Sequence, residues 1–132
     1  MSYRILIVDD SSTIRAMIKR TIKLTDVAVE QFYEAPDGRQ ALQVMTETPI
    51  DLVLADLNMP EMNGVEMTQE MHKDPALAGI RVVVVSAEPD VHKLEALKKD
   101  NIRGYIRKPF TPEGVRDVIS GLLAEKTANK AA

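Results

Sequence analysis

The sequence predicts a doubly wound α/β fold, in which helices cover both faces of a parallel β-sheet. Short apolar runs of strand length alternate with segments whose apolar residues recur at helical spacing. Turn residues such as Pro36, Asp37 and Gly38 separate these segments. Because strand–helix–strand connections are right-handed, five such alternations build a parallel sheet with helices on both faces.

The composition is typical of a globular protein with one domain. The chain has 132 residues, of which 45% are hydrophobic and 28% charged. A net charge of -3 gives no support to nucleic-acid binding, and zero cysteines exclude disulfides and thiolate catalysis. The chain starts with no apolar stretch long enough for a signal peptide or a membrane span. We therefore expect a cytoplasmic protein without membrane insertion.

The first half of the chain contains three strand patterns, each followed by a helix pattern. The predicted strands are residues 4–8, 31–35 and 52–56, and the last is apolar enough to be buried on both faces. Ser11 or Ser12 is a natural N-cap for the first helix, whose apolar stripe consists of Ile14, Met17, Ile18 and Ile22. Helix patterns follow at residues 41–45 and 65–72.

The second half predicts two more strands and two more helices. Four consecutive valines at residues 82–85 predict a fully buried parallel strand that ends at Ser86. The next helical stripe consists of Val91, Leu94 and Leu97. Residues 104–106 predict a last short strand, after which Thr111 and Pro112 supply an N-cap and a first-turn proline for the final helix.

Polar residues stand at or just past the ends of four predicted strands: Asp9 with Asp10, Asp56, Ser86 and Lys108. Parallel strands point their carboxyl ends to one edge of a sheet, so we expect these residues to meet there. Crowded carboxylates repel one another unless a cation lies among them, and oxygen ligands without His or Cys favour Mg²⁺. Asp56 is a carboxylate nucleophile of the kind that forms aspartyl-phosphates, and Ser86 and Lys108 suit phosphoryl oxygens.

Each of these residues, taken singly, has a simpler interpretation. An aspartate after a strand is often a turn residue, a serine often caps a strand, and a lone lysine is usually a surface residue. Their joint occurrence at four strand ends favours a phosphoryl-transfer site.

Four motifs follow the first, third, fourth and fifth strands. They are Val8-Asp-Asp10, the segment 56–64 (Asp-Leu-Asn-Met-Pro-Glu-Met-Asn-Gly), Ser86-Ala-Glu88 and the segment 105–110 (Tyr-Ile-Arg-Lys-Pro-Phe). With this set the sequence resembles, over nearly its whole length, the receiver domains of two-component response regulators, and specifically their single-domain chemotaxis type. The resemblance implies a flavodoxin-like fold with five helices and a five-stranded sheet in the order 2-1-3-4-5. We assign residues 1–126 to the receiver domain and 127–132 to a polar tail that frays.

The resemblance implies a role for each site residue. Asp56 is the implied phosphoacceptor, and Ser86 and Lys108 would hold the phosphoryl group. The implied Mg²⁺ ligands are Asp9 (through water), Asp10, Asp56 and the backbone carbonyl of Asn58. Asn58 and Glu88 would flank the path of the hydrolytic water and so promote loss of phosphate. Ser86 and Tyr105 match the two switch positions.

These roles imply a phosphorylation-activated signalling switch that is not an enzyme. The implied partners are a histidine kinase as phosphoryl donor and a downstream target protein, such as a flagellar motor switch, with a phosphatase as a further candidate. We expect a monomer with no room for an output domain, which signals by docking to its target. A stand-alone receiver in a phosphorelay outside chemotaxis is the alternative.

Other classes of protein fit the sequence less well. A phosphohydrolase with an Asp nucleophile, of the haloacid dehalogenase-like kind, needs a second Asp where this chain has Asn58, and a cap domain as well. A dinucleotide-binding module needs a Gly-rich turn after its first strand, where this chain has Asp-Asp-Ser-Ser. A degenerate receiver that serves only as a scaffold would not need the complete set of Asp, Ser and Lys.

Overall fold

The computed structural model describes residues 2–56, 61–62, 64–86, 102–108 and 110–131, which form five strands and four helices. The strands are β1 (Tyr3–Val8), β2 (Val29–Ala35), β3 (Leu52–Ala55), β4 (Arg81–Ser86) and β5 (Ile102–Arg107). The helices are α1 (Ser12–Lys23), α2 (Gly38–Glu47), α3 (Gly64–Lys73) and α4 (Pro112–Ala131). The helix predicted from Val91, Leu94 and Leu97 lies outside the described residues. Among the described helices, none has the length and apolar character needed to cross a bilayer.

All five strands are parallel and lie in the order β2-β1-β3-β4-β5, which confirms the predicted doubly wound, flavodoxin-like sheet. Two of the described helices pack on each face. One face packs against α1 and α4 through Ile18, Ile22, Val115, Ile119 and Leu122. The other packs against α2 and α3 through Ala41, Met45, Met67 and Met71. Because both faces are covered, the inner strands β1, β3 and β4 are apolar over most of their length. Their close packing forms a rigid platform under the strand ends.

The edge strands β2 and β5 are longer than the sequence predicts. β2 begins at Val29 instead of residue 31, and β5 covers Ile102–Arg107 instead of 104–106. Both contain exposed polar residues, because an edge strand has one neighbour and a less enclosed surface. At the end of the chain α4 continues to Ala131, through the polar segment for which the sequence predicts fraying.

Two helix starts confirm the predicted caps. The Ser11 hydroxyl accepts a hydrogen bond from the Ile14 backbone N–H at 3.2 Å and caps α1. The Thr111 hydroxyl accepts from the Gly114 N–H at 3.1 Å, and Pro112 is the first residue of α4. The amino end of α1 therefore begins directly after the acidic residues that follow β1.

A close backbone approach joins α2 to the segment after β3. The Gly38 N–H donates to the Met62 carbonyl at 2.9 Å. A Cβ atom on Gly38 would lie 2.9 Å from that carbonyl oxygen, which is closer than real Cβ contacts, and 3.0 Å from the Cβ of Met67, which is tighter than most. Glycine is therefore required here to let the chain beyond Asp56 pack on the start of α2.

We expect Gly38→Ala to lower the free energy of unfolding by about 1–3 kcal/mol, since the backbone around Met62 must shift. Gly121→Ala is the matched control, because its added Cβ would meet nothing within 4 Å. It should raise the free energy of unfolding by about 0.5–1 kcal/mol through helix propensity alone. Urea unfolding of both variants measures the difference. Equal stability of the two variants would show that the approach is not tight.

Candidate functional site

The strand register brings the polar residues to one edge of the sheet. Val8 pairs with Ala55, so Asp9 and Asp56 follow neighbouring positions of adjacent strands. The Asp56 N–H donates to the Val8 carbonyl at 3.0 Å, and the Asp9 N–H donates to the Ala35 carbonyl at 3.1 Å. Backbone hydrogen bonds therefore fix both aspartates just beyond the ends of their strands.

Asp9, Asp10 and Asp56 form a cluster of carboxylates. Each offers one oxygen atom, and the three oxygens lie within 4.8 Å of one another. Asp9 is 2% exposed, Asp56 is half-buried and Asp10 is exposed. Carboxylates this close repel one another strongly when they leave water, so the cluster favours a cation. A set of carboxylate oxygens is the donor set that suits Mg²⁺.

Lys108 supplies part of the positive charge that the carboxylate cluster requires. Its Nζ lies 3.2 Å from Asp56 Oδ2 and 3.3 Å from Asp9 Oδ2, and its side chain is 21% exposed. Burial opposes protonation of the amine, but the carboxylates of Asp56 and Asp9 raise the pKa of Lys108 above its usual value. The lysine therefore stays charged at neutral pH. One ammonium does not balance three carboxylates, so the site remains negative.

Asp9 is held at both carboxylate oxygens. The Ser11 backbone N–H donates to Asp9 Oδ1 at 2.9 Å, while Oδ2 contacts Lys108. The same Ser11 caps α1, so the helix start and the acidic pair are fixed together. A buried carboxylate with both oxygens engaged is suited to organise the site and poorly suited to meet a bulky phosphoryl donor.

Ser86 joins the site to Tyr105. Ser86 is 3% exposed at the end of β4, and its carbonyl accepts from the Lys108 N–H at 3.0 Å and from the Tyr105 hydroxyl at 2.8 Å. Tyr105 is half-buried, and this burial raises the pKa of its hydroxyl. A movement of the Ser86 backbone would therefore act directly on the Tyr105 side chain.

The profile of the response regulator receiver domain family matches residues 5–120. The chain belongs to this family. A chemotaxis protein CheY homolog of Campylobacter jejuni is 31% identical over 130 residues, with 98% of both chains covered. The sensor histidine kinase TmoS of Ectopseudomonas mendocina is 35% identical over 128 residues, which cover 97% of this chain and 13% of that protein. The solved structure of Vibrio cholerae chemotaxis protein CheY4 has a TM-score of 0.78 at 28% identity and covers 91% of this chain and 98% of that one.

The receiver brings most of the predicted site residues together. Asp9, Asp10, Asp56 and Lys108 form one charged cluster, and Ser86 and Tyr105 are hydrogen bonded beside it. Asn58 and Glu88 lie outside the described residues. Receiver domains are the phosphoacceptor switches of two-component systems, so the chain functions in phosphorylation-dependent signalling.

Two residues near the site were missed by the sequence analysis. Arg15 on α1 donates from Nη1 to the Asp9 main-chain carbonyl, and its Nε donates to Glu34 Oε1 at 3.0 Å. A signal was available, since Arg15 is four residues after the N-cap Ser11 and so lies one turn above the acidic pair. The contact to Glu34 had no such signal, because 19 residues separate the pair in the sequence.

We expect Lys108→Met to destabilise the metal-free receiver at neutral pH by about 1–3 kcal/mol, because Asp9 and Asp56 lose their counter-charge. The pKa of Lys108 is raised in the folded state, so its contribution is complete below the usual lysine pKa and is lost only as the pH rises through the folded value. Added Mg²⁺ should then stabilise the variant more than wild type, since no ammonium competes for the carboxylates. Urea unfolding with EDTA and with Mg²⁺ measures both effects.

Lys73→Met is the matched control, because Lys73 pairs with Glu70 on an exposed surface. It should change stability by no more than about 0.5 kcal/mol, with or without Mg²⁺. Similar losses in the two lysine variants would show that Lys108 is an ordinary surface ion pair.

Proposed function

We propose that this receiver accepts a phosphoryl group on Asp56 and thereby works as a stand-alone signalling switch. The observation that carries the proposal is the contact of Asp56 with Lys108 inside the carboxylate cluster, at the end of the central strand. Asp9 is buried with both oxygens engaged, and Asp10 is exposed to water. Asp56 is the half-buried carboxylate between these extremes, and it combines access with a neighbouring cation.

The chemistry is an in-line transfer. An Asp56 carboxylate oxygen attacks the phosphorus of a phosphohistidine or of a small acyl phosphate, and the bond from phosphorus to the donor atom breaks. The Lys108 ammonium, 3.2 Å from Asp56, offsets charge on the transferred phosphoryl oxygens. The Ser86 hydroxyl is proposed to bind one of these oxygens once the group is in place. The receiver thus assists its own phosphorylation without being an enzyme.

The proposed Mg²⁺ ligands are those that the family resemblance implies: Asp10, Asp56, the Asn58 main-chain carbonyl and, through water, Asp9. The donor chemistry of the described residues fits this ion, since carboxylate oxygens cluster without nitrogen or sulfur ligands. Bound Mg²⁺ supplies positive charge against the roughly two negative charges that phosphorylation adds. Asn58 and Glu88 are proposed to tune the subsequent loss of phosphate.

We propose that Ser86 and Tyr105 transmit the phosphorylated state. A phosphoryl group on Asp56 draws the Ser86 hydroxyl towards it, and this shift disturbs the 2.8 Å bond from the Tyr105 hydroxyl to the Ser86 carbonyl. The Tyr105 side chain then changes its orientation on β5, and this alters the neighbouring surface that a target binds. Both arrangements exist before phosphorylation, and the phosphoryl group shifts their populations.

The proposed partners are a histidine kinase, a target protein and a phosphatase, all met in the cytoplasm. Chemotaxis, with a flagellar motor switch as target, is supported by the CheY homolog that matches along 98% of both chains. A phosphorelay outside chemotaxis is the second candidate, because the chain also resembles a segment of a sensor histidine kinase. We propose residues 1–126 as the receiver domain and a monomer as the working form.

Incubation with acetyl phosphate and Mg²⁺ should label wild type, whereas labelling of Asp56→Asn should fall to background because the amide is not nucleophilic. Asp51→Asn is the matched control. Asp51 lies just before the amino end of β3, whereas Asp56 follows its carboxyl end. The Asp51 side chain accepts a hydrogen bond from the Arg4 N–H. Mass spectrometry of intact protein measures the added phosphoryl group. If Asp56→Asn is labelled as well as Asp51→Asn, Asp56 is not the acceptor.

NMR spectra test this switch through the ring resonances of Tyr105 and Tyr33. Acetyl phosphate with Mg²⁺ should shift those of Tyr105 in wild type and leave those of Tyr33, on β2, unchanged. In Ser86→Ala we expect normal labelling with a Tyr105 shift reduced by half or more, because the hydroxyl that senses phosphate is missing. Ser120→Ala, on the exposed face of α4, should behave as wild type. A full Tyr105 shift in Ser86→Ala would exclude this route.

A further inference from the structure

Arg15 connects three elements beside the acidic cluster. From α1 its Nη1 donates to the main-chain carbonyl of Asp9, directly after β1. Its Nε donates to Glu34 Oε1 on β2 at 3.0 Å, and Lys19 Nζ contacts the other oxygen, Oε2, at 2.7 Å. Glu34 is thus held at both oxygens and in turn holds the guanidinium of Arg15 against the backbone of Asp9.

The carbonyl that Arg15 binds belongs to the peptide that leads into Asp10. A peptide group is planar, so the Asp9 carbonyl and the Asp10 N–H share one plane. Fixing the carbonyl limits the rotation of that plane and therefore fixes the position of the Asp10 Cα, from which the side chain leaves the backbone. The side chain of Asp9 is already held by Ser11 and Lys108. The Arg15 bond adds the constraint that acts on Asp10.

The low exposure of Arg15 and the negative charge of Glu34 support a persistent contact between Arg15 and the Asp9 carbonyl. The side chains of Arg15 and Glu34 are 15% and 36% exposed, whereas those of the surface pair Arg116 and Asp117 on α4 are 43% and 72% exposed. The hydrogen bond from Lys19 lowers the pKa of Glu34, and the contact with Arg15 lowers it further. Burial opposes this shift without reversing it. Glu34 therefore remains a carboxylate at neutral pH. Charge-assisted bonds at both of its oxygens offset the side-chain entropy lost in ordering the group.

We infer that Arg15, held in place by Glu34, is a positioning residue that orients the Asp9–Asp10 peptide and thereby sets the Mg²⁺ affinity of the carboxylate cluster. This inference rests on the proposed function for the use of the cluster as a Mg²⁺ site. It makes a prediction opposite in sign to simple electrostatics. The positive charge of Arg15 repels Mg²⁺, so its removal would tighten Mg²⁺ binding if charge alone mattered.

The test is calorimetric titration of the full chain with Mg²⁺, without any phosphoryl donor. Arg15→Gln should weaken Mg²⁺ binding about tenfold, in the range found when a partner that orients a metal ligand is lost. Arg15→Lys keeps the charge but lacks the two-armed guanidinium, and it should weaken binding by a smaller factor of about three. Glu34→Gln should weaken binding about threefold on its own and add little in combination with Arg15→Gln, because Glu34 acts through Arg15.

Arg4→Gln is the matched control. Arg4 on β1 pairs with Glu30 on β2 at 3.4 Å. This pair joins β1 and β2 near their amino ends, away from the acidic cluster. Its Mg²⁺ affinity should stay within about twofold of wild type. The metal-free variants are also compared by amide exchange at Asp10, which should be faster in Arg15→Gln and unchanged in Arg4→Gln.

Unchanged or tighter Mg²⁺ binding by Arg15→Gln overturns the inference and leaves the proposed function intact. If Arg15→Gln does not fold, Arg15→Lys decides, and wild-type affinity in that variant overturns the inference equally. Absence of Mg²⁺ binding by wild type contradicts the proposed function itself, and the positioning role falls with it.

Discussion

The repulsion among Asp9, Asp10 and Asp56 is the constraint on which the rest of the site depends. Their oxygens lie within 4.8 Å of one another, a spacing that isolated side chains would not keep. The sheet maintains it because backbone hydrogen bonds fix Asp9 and Asp56 beyond paired strand ends, over a core packed on both faces. Lys108 relieves part of the repulsion and leaves a negative site. Such a site favours a cation among the carboxylates, and we propose that it accepts a phosphoryl group together with that cation.

Two sets of contacts lead away from the cluster, and we propose different roles for them. The backbone of Lys108 is bonded to the Ser86 carbonyl, which also binds the Tyr105 hydroxyl, so a change of charge at Asp56 has a short path to β5. On the other side, Arg15 holds the Asp9 carbonyl. The first set contains a neutral hydrogen bond, which we propose breaks during switching. The second is strengthened by charge and suits a fixed part of the site.

The sequence was informative where one physical signal dominates. The inner strands were predicted closely because strands buried on both faces are apolar over most of their length. The meeting of Asp9, Asp56 and Lys108 followed from the parallel order of the strands. Strands β2 and β5 were predicted too short because exposed residues near their ends interrupt the apolar pattern. The contacts of Arg15 with Glu34 and of Gly38 with Met62 depend on tertiary packing, which no local pattern encodes.

The most direct measurement identifies the phosphorylated residue itself. The receiver is incubated with acetyl phosphate and Mg²⁺ and then reduced with borohydride, which converts an aspartyl phosphate to homoserine. Peptide mass mapping locates the change. We expect conversion at position 56, with Asp9 and Asp10 unmodified, because Asp56 combines access with the contact to Lys108. Conversion at Asp9 or Asp10, or at any residue outside the carboxylate cluster, would contradict the proposed site.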